Sequence, residues 1–399
     1  MQGRNIMNLL KTPRQKTKRR KSCWLFAIFG VLLLYPITGG KLDTHFTLNG
    51  VSTQAEKPEL SLKAIMDGTY QEHMNAYLLE NISGRNLLVR IHSQLLYSVF
   101  HTSSNNNIVI GSDEQLFEPE YLAYSLNIWG QPSEEEISGL VNKLLALNSA
   151  LEADGKQLYI YITPSKARYY ADNAPLSYKL CANTGATEVA YDKFIRGLDG
   201  SGLKVFDSIA YINQHQTEFE FPLWYSTGIH WSRALGAKIG EAFNQYLKET
   251  SGYNLGQIHV TQSKTGELIA PDADLYNILN LLVPPSEEYY SPQITTEEGT
   301  DKPNVFFRGG SFMGQSLSNL VRNNIFNKDI CFENNYYFTD NYSGGGSLSD
   351  FNAYDELDIP LYLEQSDLLI LEVNENKIFT MSWGFIDYVL NYYENKKGE

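Results

Sequence analysis

Cysteine is scarce in this chain, three in 399 residues, and no two are spaced as Cys-x-x-Cys. That spacing excludes a thiolate zinc site and a thioredoxin-type redox centre. No Gly-Lys-Ser/Thr follows any glycine run, so a nucleotide phosphate loop is excluded as well. Basic clusters are missing beyond residue 21. Residues 1–21 hold eight of the 32 Lys and Arg and no acid, so the remainder is more acidic than the formal net charge of −14. An acidic body without a basic stripe excludes nucleic acid as a partner. No His/Cys cluster offers a metal site, and no cofactor motif is present.

Long apolar runs are also rare. The one uncharged stretch that stands out is Ser22–Gly40, with Cys23–Tyr35 strongly apolar. At about 1.5 Å per residue it just covers a hydrocarbon core of about 30 Å. The Lys and Arg before it predict a cytoplasmic N-terminus and an outward-facing body. The expectation is a basic cytoplasmic tail at 1–21, a transmembrane anchor at 22–40, a stalk at 41–63 and one domain at 64–399. A cleaved signal peptide with its apolar region at Trp24–Leu34 is the alternative, although no Ala-x-Ala site follows. Both place the body outside the cytoplasm, as a single-pass protein of the cell membrane in the first case. An oxidising compartment would permit a disulfide between Cys181 and Cys331.

What the chain has in quantity is aromatic side chains, 27 Tyr and 19 Phe, a level that suits stacking on sugars. It also has strand–helix alternation. Tyr70–Phe100 reads as helix, interrupted at Gly84, and Ile108–Ile110 as a short strand. Ser133-Glu-Glu-Glu136 has the form of a capping box opening a helix with Leu140, Leu144, Leu147 and Leu151. Gln157–Ile162 is a buried strand, Glu188–Leu198 a helix, Leu203–Phe206 a strand and Asp207–Gln214 a helical return. Ser232–Lys248 is a helix, 284–303 an exposed loop, Asn334–Phe338 a strand and Asp367–Val373 a central strand. Gly384–Tyr393 closes as helix, and Ser343–Ser349 reads as a flexible loop bordering a site. The alternation implies a parallel sheet with helices on both faces.

The most informative stretch is Asn304–Val321, where an apolar strand at Val305–Phe307 runs through Arg-Gly-Gly-Ser into a helix. Reactive side chains in open α/β sheets lie outside the carboxyl ends of strands, which is where Ser311 falls. The stretch misses Gly-x-Ser-x-Gly by one position. A serine nucleophile needs a base and donors for an oxyanion. Of seven histidines, only His230 lies in an irregular aromatic segment, FPLWYSTGIHW, beside a helix start. Carboxylate pairs occur at Asp272/Asp274 and Glu287/Glu288, and in so acidic a chain they read as solvated face.

With these residues in view, the chain resembles the alginate O-acetyltransferase family of the AlgX/AlgJ type, a branch of the SGNH hydrolases. The resemblance runs from about Tyr70 to Asn376 and rests on ordered segments. IVIGSDEQLFEPEYL at 108–122 is similar to the family's opening motif, and LYIYITPSKARYY at 158–170 to its strand ending in Pro-x-Lys. STGIHWS at 226–232 stands where the family has Thr-Asp-x-His-Trp, RGGSF at 308–312 where it has Gly-Asp-Ser-Phe, and DLLILEVN at 367–374 resembles its last core strand. The resemblance implies a flavodoxin-like three-layer α/β/α sheet and a catalytic Ser311 and His230. Around them it suggests Gly310, Arg308, Gln315, Tyr225 and Trp231 as oxyanion or substrate contacts. The implied activity is transfer of acetyl through an acyl-serine onto hydroxyls of a cell-surface or secreted polysaccharide. A membrane-bound O-acyltransferase would be the acetyl supplier, and no cofactor is needed. An acetyl esterase or a non-catalytic polysaccharide-binding subunit are the alternatives. The two family aspartates are replaced by Gly228 and Gly310, so His230 would be held by a backbone carbonyl, as a dyad, or by an acid from elsewhere, with Asp207 and Glu241 as candidates.

Overall fold

The computed structural model describes residues 30, 46–50, 55–81, 84–185, 188–266, 269, 271–283, 285–335, 337–342 and 357–398. Apart from Gly30, the expected anchor lies outside the described residues, as do the basic tail and the loop at Ser343–Ser349. Among the described residues no helix is long and apolar enough to cross a membrane.

The chain divides into two compact units, one running to Ser104 together with Ile278–Pro284, the other comprising Asn105–Asn277 and Pro285–Glu399. The boundary therefore falls at 104/105, forty residues beyond the expected domain start at 64. The first unit holds α1 (Leu62–Asp67), α2 (Thr69–Asn81) and α3 (Arg85–Phe100). Gly84 separates the last two with a φ of 78°, a conformation glycine adopts without strain. Within this unit Arg90 donates to the carbonyl of Leu281, and the Gln94 side-chain oxygen accepts from the N–H groups of Leu282 and Val283.

The second unit opens with the ribbon β1 (Val109–Ile110) and β2 (Leu116–Phe117), then α4 (Pro119–Ser125) and α5 (Glu134–Ala153). The capping box is formed, with Glu136 N–H on Ser133 Oγ and Ser133 N–H on the Glu136 carboxylate. In chain order follow β3 (Gln157–Thr163), α6 (Lys166–Tyr169), α7 (Leu176–Cys181), α8 (Ala190–Leu198), β4 (Lys204–Asp207) and α9 (Ser208–His215). Next come α10 (Arg233–Thr250), β5 (Gln257–Thr265), α11 (Asp274–Leu279), β6 (Tyr289–Glu297), β7 (Val305–Gly309) and α12 (Phe312–Arg322). The chain ends through β8 (Asp329–Glu333), β9 (Tyr337–Thr339), α13 (Ile359–Gln365), β10 (Leu368–Asn374) and α14 (Phe385–Gly398).

Six strands form the main sheet in the order β4-β3-β10-β7-β8-β9. All pairs are parallel except β8–β9. The period-2 alternation of strand side chains sorts the core onto two faces. Leu158, Ile160 and Ile162 of β3 and Leu369, Leu371 and Val373 of β10 meet residues of α5, α8, α13 and α14. Tyr159, Tyr161, Leu368 and Ile370 meet α10 and α12 on the other face. The expected α/β/α layering is present. The strand order differs from the flavodoxin 2-1-3-4-5 pattern, because the last strand of the chain inserts between β3 and β7. That insertion carries Glu372 to the centre of the sheet beside the Gly309–Ser311 turn.

Two sequence expectations are corrected. The segment 284–303 is no open loop: Tyr289–Glu297 pairs antiparallel with β5 over nine residues. Its Pro292 and its polar residues suit a two-stranded ribbon exposed on one side. The Cys181–Cys331 disulfide is absent. Both thiols are free, Cys181 exposed on α7 and Cys331 buried in β8.

Candidate active site

Ser311 lies one residue beyond β7, after Gly310, and stands at the start of α12, yet its hydroxyl makes no capping bond. Oγ faces His230 instead, at 2.8 Å from Nε2. The other ring nitrogen, Nδ1, lies 2.5 Å from Asp274 Oδ2. The second oxygen of Asp274 accepts from the Ile229 and Leu275 N–H groups at 2.9 and 2.8 Å. The carboxylate is thus aimed from both sides, by the His-bearing loop and by the first turn of its own helix. Serine, histidine and aspartate are joined in the order nucleophile, base and orienting acid.

Asp274 was not among the acids the sequence offered for His230. Asp207 caps α9 through the Ile209 and Ala210 N–H groups and accepts from the Tyr191 hydroxyl. Glu241 holds Lys238 and the Val260 N–H. Asp272 and Asp274, read as solvated face, are both engaged. Asp272 is 1% exposed and binds the Arg233 N–H and guanidinium. Gly228 is what lets this segment approach. A Cβ there would stand 2.8 Å from the Asp272 carbonyl oxygen, so the loop holding His230 can meet residues 271–274 only without a side chain at 228. The same close approach that requires glycine at 228 brings Asp274 to His230.

The loop around His230 is fixed mainly by one buried cation. Lys166 Nζ lies 2.8–2.9 Å from the carbonyls of Leu116, Tyr225, Ser226 and Gly228. Burial pulls this lysine down to about 7, against the opposing charges of Glu287 and Asp274. Glu287 accepts from the Ser226 N–H and the Thr227 hydroxyl, while Glu288 pairs with Lys264, so that carboxylate pair is split too. Ser232 caps α10 by accepting from Leu235 N–H.

Burial by itself lowers the His230 pKa. The hydrogen bond and charge of Asp274, with Glu118 and Glu333 nearby, outweigh it and raise the imidazole above its ordinary value. Glu118 and Glu333 are themselves raised by burial and restrained by His230.

Of the remaining expected contacts, Gly310 borders the cleft but its N–H is already committed, to Glu372 Oε2 at 2.6 Å. The N–H groups of Ser311, the N-cap, and Phe312, the first residue of α12, have no intrahelical partner. Arg308 is fully buried, donates to the carbonyls of Gly309, Phe332 and Ser382, and stacks on Phe332 and Trp383. It packs beneath the turn and does not line the cleft beside Ser311. Gln315 faces α10, its Cβ 2.9 Å from where a Cβ on Gly236 would be. Tyr225 is buried, its hydroxyl accepting from Tyr290 N–H, and Trp231 is buried with its ring edge-on to Phe312. None of the three lines the cleft beside Ser311.

The cleft beside Ser311 is narrow, with a cavity volume of about 40 Å³. Tyr121 and Trp383 give it aromatic walls, and Asn334, Asn374 and Lys377 give it polar ones.

A family model described as "SGNH hydrolase-like domain, acetyltransferase AlgX" matches residues 108–319. No curated protein matches the chain in sequence. Among solved structures, the O-acetyltransferase domain of Pseudomonas putida AlgJ is 15% identical, with 72% of this chain and 99% of that chain covered and a TM-score of 0.42. Pseudomonas aeruginosa AlgX is 15% identical, with 70% and 66% covered and a TM-score of 0.39. Bacillus cereus PatB1 is 10% identical, with 68% and 96% covered and a TM-score of 0.44.

Proposed function

The chain belongs to the SGNH hydrolase-like family of AlgX-type acetyltransferases, and from that premise we propose that it carries acetyl through an acyl-serine at Ser311 onto hydroxyls of a polysaccharide outside the cytoplasm. The Asp274–His230–Ser311 chain of hydrogen bonds carries this reading.

Ser311 Oγ attacks the carbonyl carbon of an acetyl ester while His230 Nε2 takes the hydroxyl proton. Asp274 holds the ring in the tautomer that leaves Nε2 free and stabilises the imidazolium that forms. The oxyanion is received by the Ser311 and Phe312 N–H groups. When the carbonyl reforms, the bond to the leaving alkoxide breaks and His230 returns the proton to it. A sugar hydroxyl then attacks the acetyl-serine by the same path in reverse, and the proton it loses reaches Ser311 Oγ through His230. The aromatic walls at Tyr121 and Trp383 suit a pyranose face, and the amides of Asn334 and Asn374 suit its hydroxyls. A membrane-bound O-acyltransferase as acetyl supplier and an N-terminal anchor at 22–40 belong to the same proposal, supported by the basic start followed by an apolar run.

Cells expressing Ser311→Ala in place of the natural chain should lose O-acetyl groups from their surface polysaccharide. Unchanged acetylation would overturn the reading. Acetate release without transfer to any added oligosaccharide would mark water as the acceptor, and so an esterase.

A further inference from the structure

The position before the nucleophile carries glycine where the family pattern has aspartate, yet a carboxylate is present there all the same. Glu372, on the inserted central strand β10, is 1% exposed. Its Oε2 accepts the Gly310 N–H at 2.6 Å and its Oε1 accepts the Thr163 hydroxyl. Thr163 is in turn held by the Asn374 amide at 3.3 Å. The fit is close: a Cβ on Gly309 would lie 2.5 Å from Glu372 Cβ, whereas one on Gly310 would meet Oε2 at 3.5 Å. A buried carboxylate that accepts at both oxygens is matched to its ionised form, because a protonated acid would need an acceptor of its own.

We infer that Glu372 is a positioning residue for the acyl-transfer site, its ionised carboxylate fixing the Gly310 peptide and through it the Ser311 hydroxyl and the N–H groups that receive the oxyanion. The inference rests on Ser311 being the nucleophile. Gly310 N–H is the last backbone donor before Ser311, so its anchor sets where Oγ and the first N–H groups of α12 stand. Misplacement there by a fraction of an ångström lowers rate while leaving the cleft walls, and so acceptor binding, in place.

Burial raises the Glu372 pKa to about 7, with the Thr163 and Gly310 hydrogen bonds and Arg308 opposing and Glu333 adding to the rise. The other titratable groups facing it are Tyr121 of α4 and Tyr161 of β3, both raised well above their usual range and so neutral. Lys377 lines the same cleft and is paired with Glu120. Protonation as pH falls through about 7 would replace the charged acceptor on Gly310 N–H by a weaker neutral one and slow acylation by the same few-fold as Glu372→Gln.

The test uses the full chain and the rate of Ser311 acetylation by p-nitrophenyl acetate, followed from pH 5 to 9. Glu372→Ala should slow acetylation roughly 10- to 100-fold. Glu372→Gln, which keeps one acceptor oxygen and the side-chain volume, should stay within a few-fold of the natural chain at pH 8. Its acid limb should lose one of the two ionisations, leaving that of His230. Gly310→Asp should be harmful in the natural background, where it sets a second carboxylate beside the first, and less harmful in Glu372→Ala. Hydrogen exchange of the peptide spanning 309–313, which needs no turnover, should rise in Glu372→Ala and stay near normal in Glu372→Gln. An unaltered acid limb in Glu372→Gln would overturn the inference, as would unaltered exchange in Glu372→Ala. Should the natural chain fail to acetylate Ser311, the function proposed above fails and the exchange result alone decides this one.

Discussion

Asp274 Oδ2 and His230 Nδ1 lie 2.5 Å apart across 44 residues of sequence. The acid reaches the histidine from the start of α11, over a backbone approach that only a glycine at 228 leaves open. Asp274→Asn should therefore lower acetyl transfer by roughly 10³-fold or more, since an amide at that point no longer stabilises the imidazolium and favours the wrong tautomer. The fold should persist, because the Ile229 and Leu275 N–H groups keep an oxygen acceptor. Turnover and thermal melting of the same preparation check both halves.

An acid placed at 228 should not replace Asp274. Gly228→Asp in an Asp274→Ala background brings a Cβ to 2.8 Å from the Asp272 carbonyl, a backbone atom that cannot swing aside. Activity should stay at the Asp274→Ala level and the melting temperature should drop further.

The raised His230 pKa has opposite consequences for rate and for stability. As a general base the imidazole must be neutral, so kcat/KM should rise with pH through a value above the ordinary 6.5. The folded state binds the His230 proton more tightly than the unfolded chain. Its contribution to stability is therefore full below about 6.5 and is lost as pH rises through the folded value. Asp274→Asn should move the rate inflection downward and remove that part of the pH dependence of unfolding, as paired rate and denaturation series would record.

Lys166→Met would strip the buried carbonyls of Leu116 and Gly228 of their Nζ donor and leave those of Tyr225 and Ser226 only their backbone donors, Gly228 N–H and Leu116 N–H. A loss of about 3 kcal/mol follows from leaving buried acceptors unpaired. Chemical denaturation measures it. Activity should fall with it because the loop freed is the one that carries His230.

Much of this was legible in sequence where apolar periodicity was strong. Gln157–Thr163 and Leu368–Asn374 are nearly unbroken apolar runs, and Ser133 with Glu136 marks a helix start by its chemistry. The strand Asp329–Glu333 escaped because its apolar core is only three residues, Ile-Cys-Phe, between acids. Tyr289–Glu297 escaped because Pro292 and its Thr and Glu read as loop. Ser311 and His230 stand out by local context, a strand-turn-helix and an aromatic loop, but it is the family resemblance that singles them out as a pair. Asp274 could not be found that way, since nothing in spacing ties it to His230. One signal did exist: Pro-Asp-Ala-Asp at 271–274 precedes Leu275, Tyr276, Ile278 and Leu279, which is how a helix opens with acids in its first turn. Gly310 was read as an oxyanion donor, and its partner Glu372 lies on a strand whose place in the sheet only the topology reveals.

The central claim is that Ser311 is acylated with help from His230 and Asp274. Peptide mass spectrometry after brief treatment with p-nitrophenyl acetate tests it directly. The account predicts a single acetyl adduct on the peptide containing Ser311, absent in Ser311→Ala and strongly reduced in His230→Ala and Asp274→Ala. Adduct at Ser311 undiminished in His230→Ala and Asp274→Ala, or no adduct there in the natural chain, would contradict it.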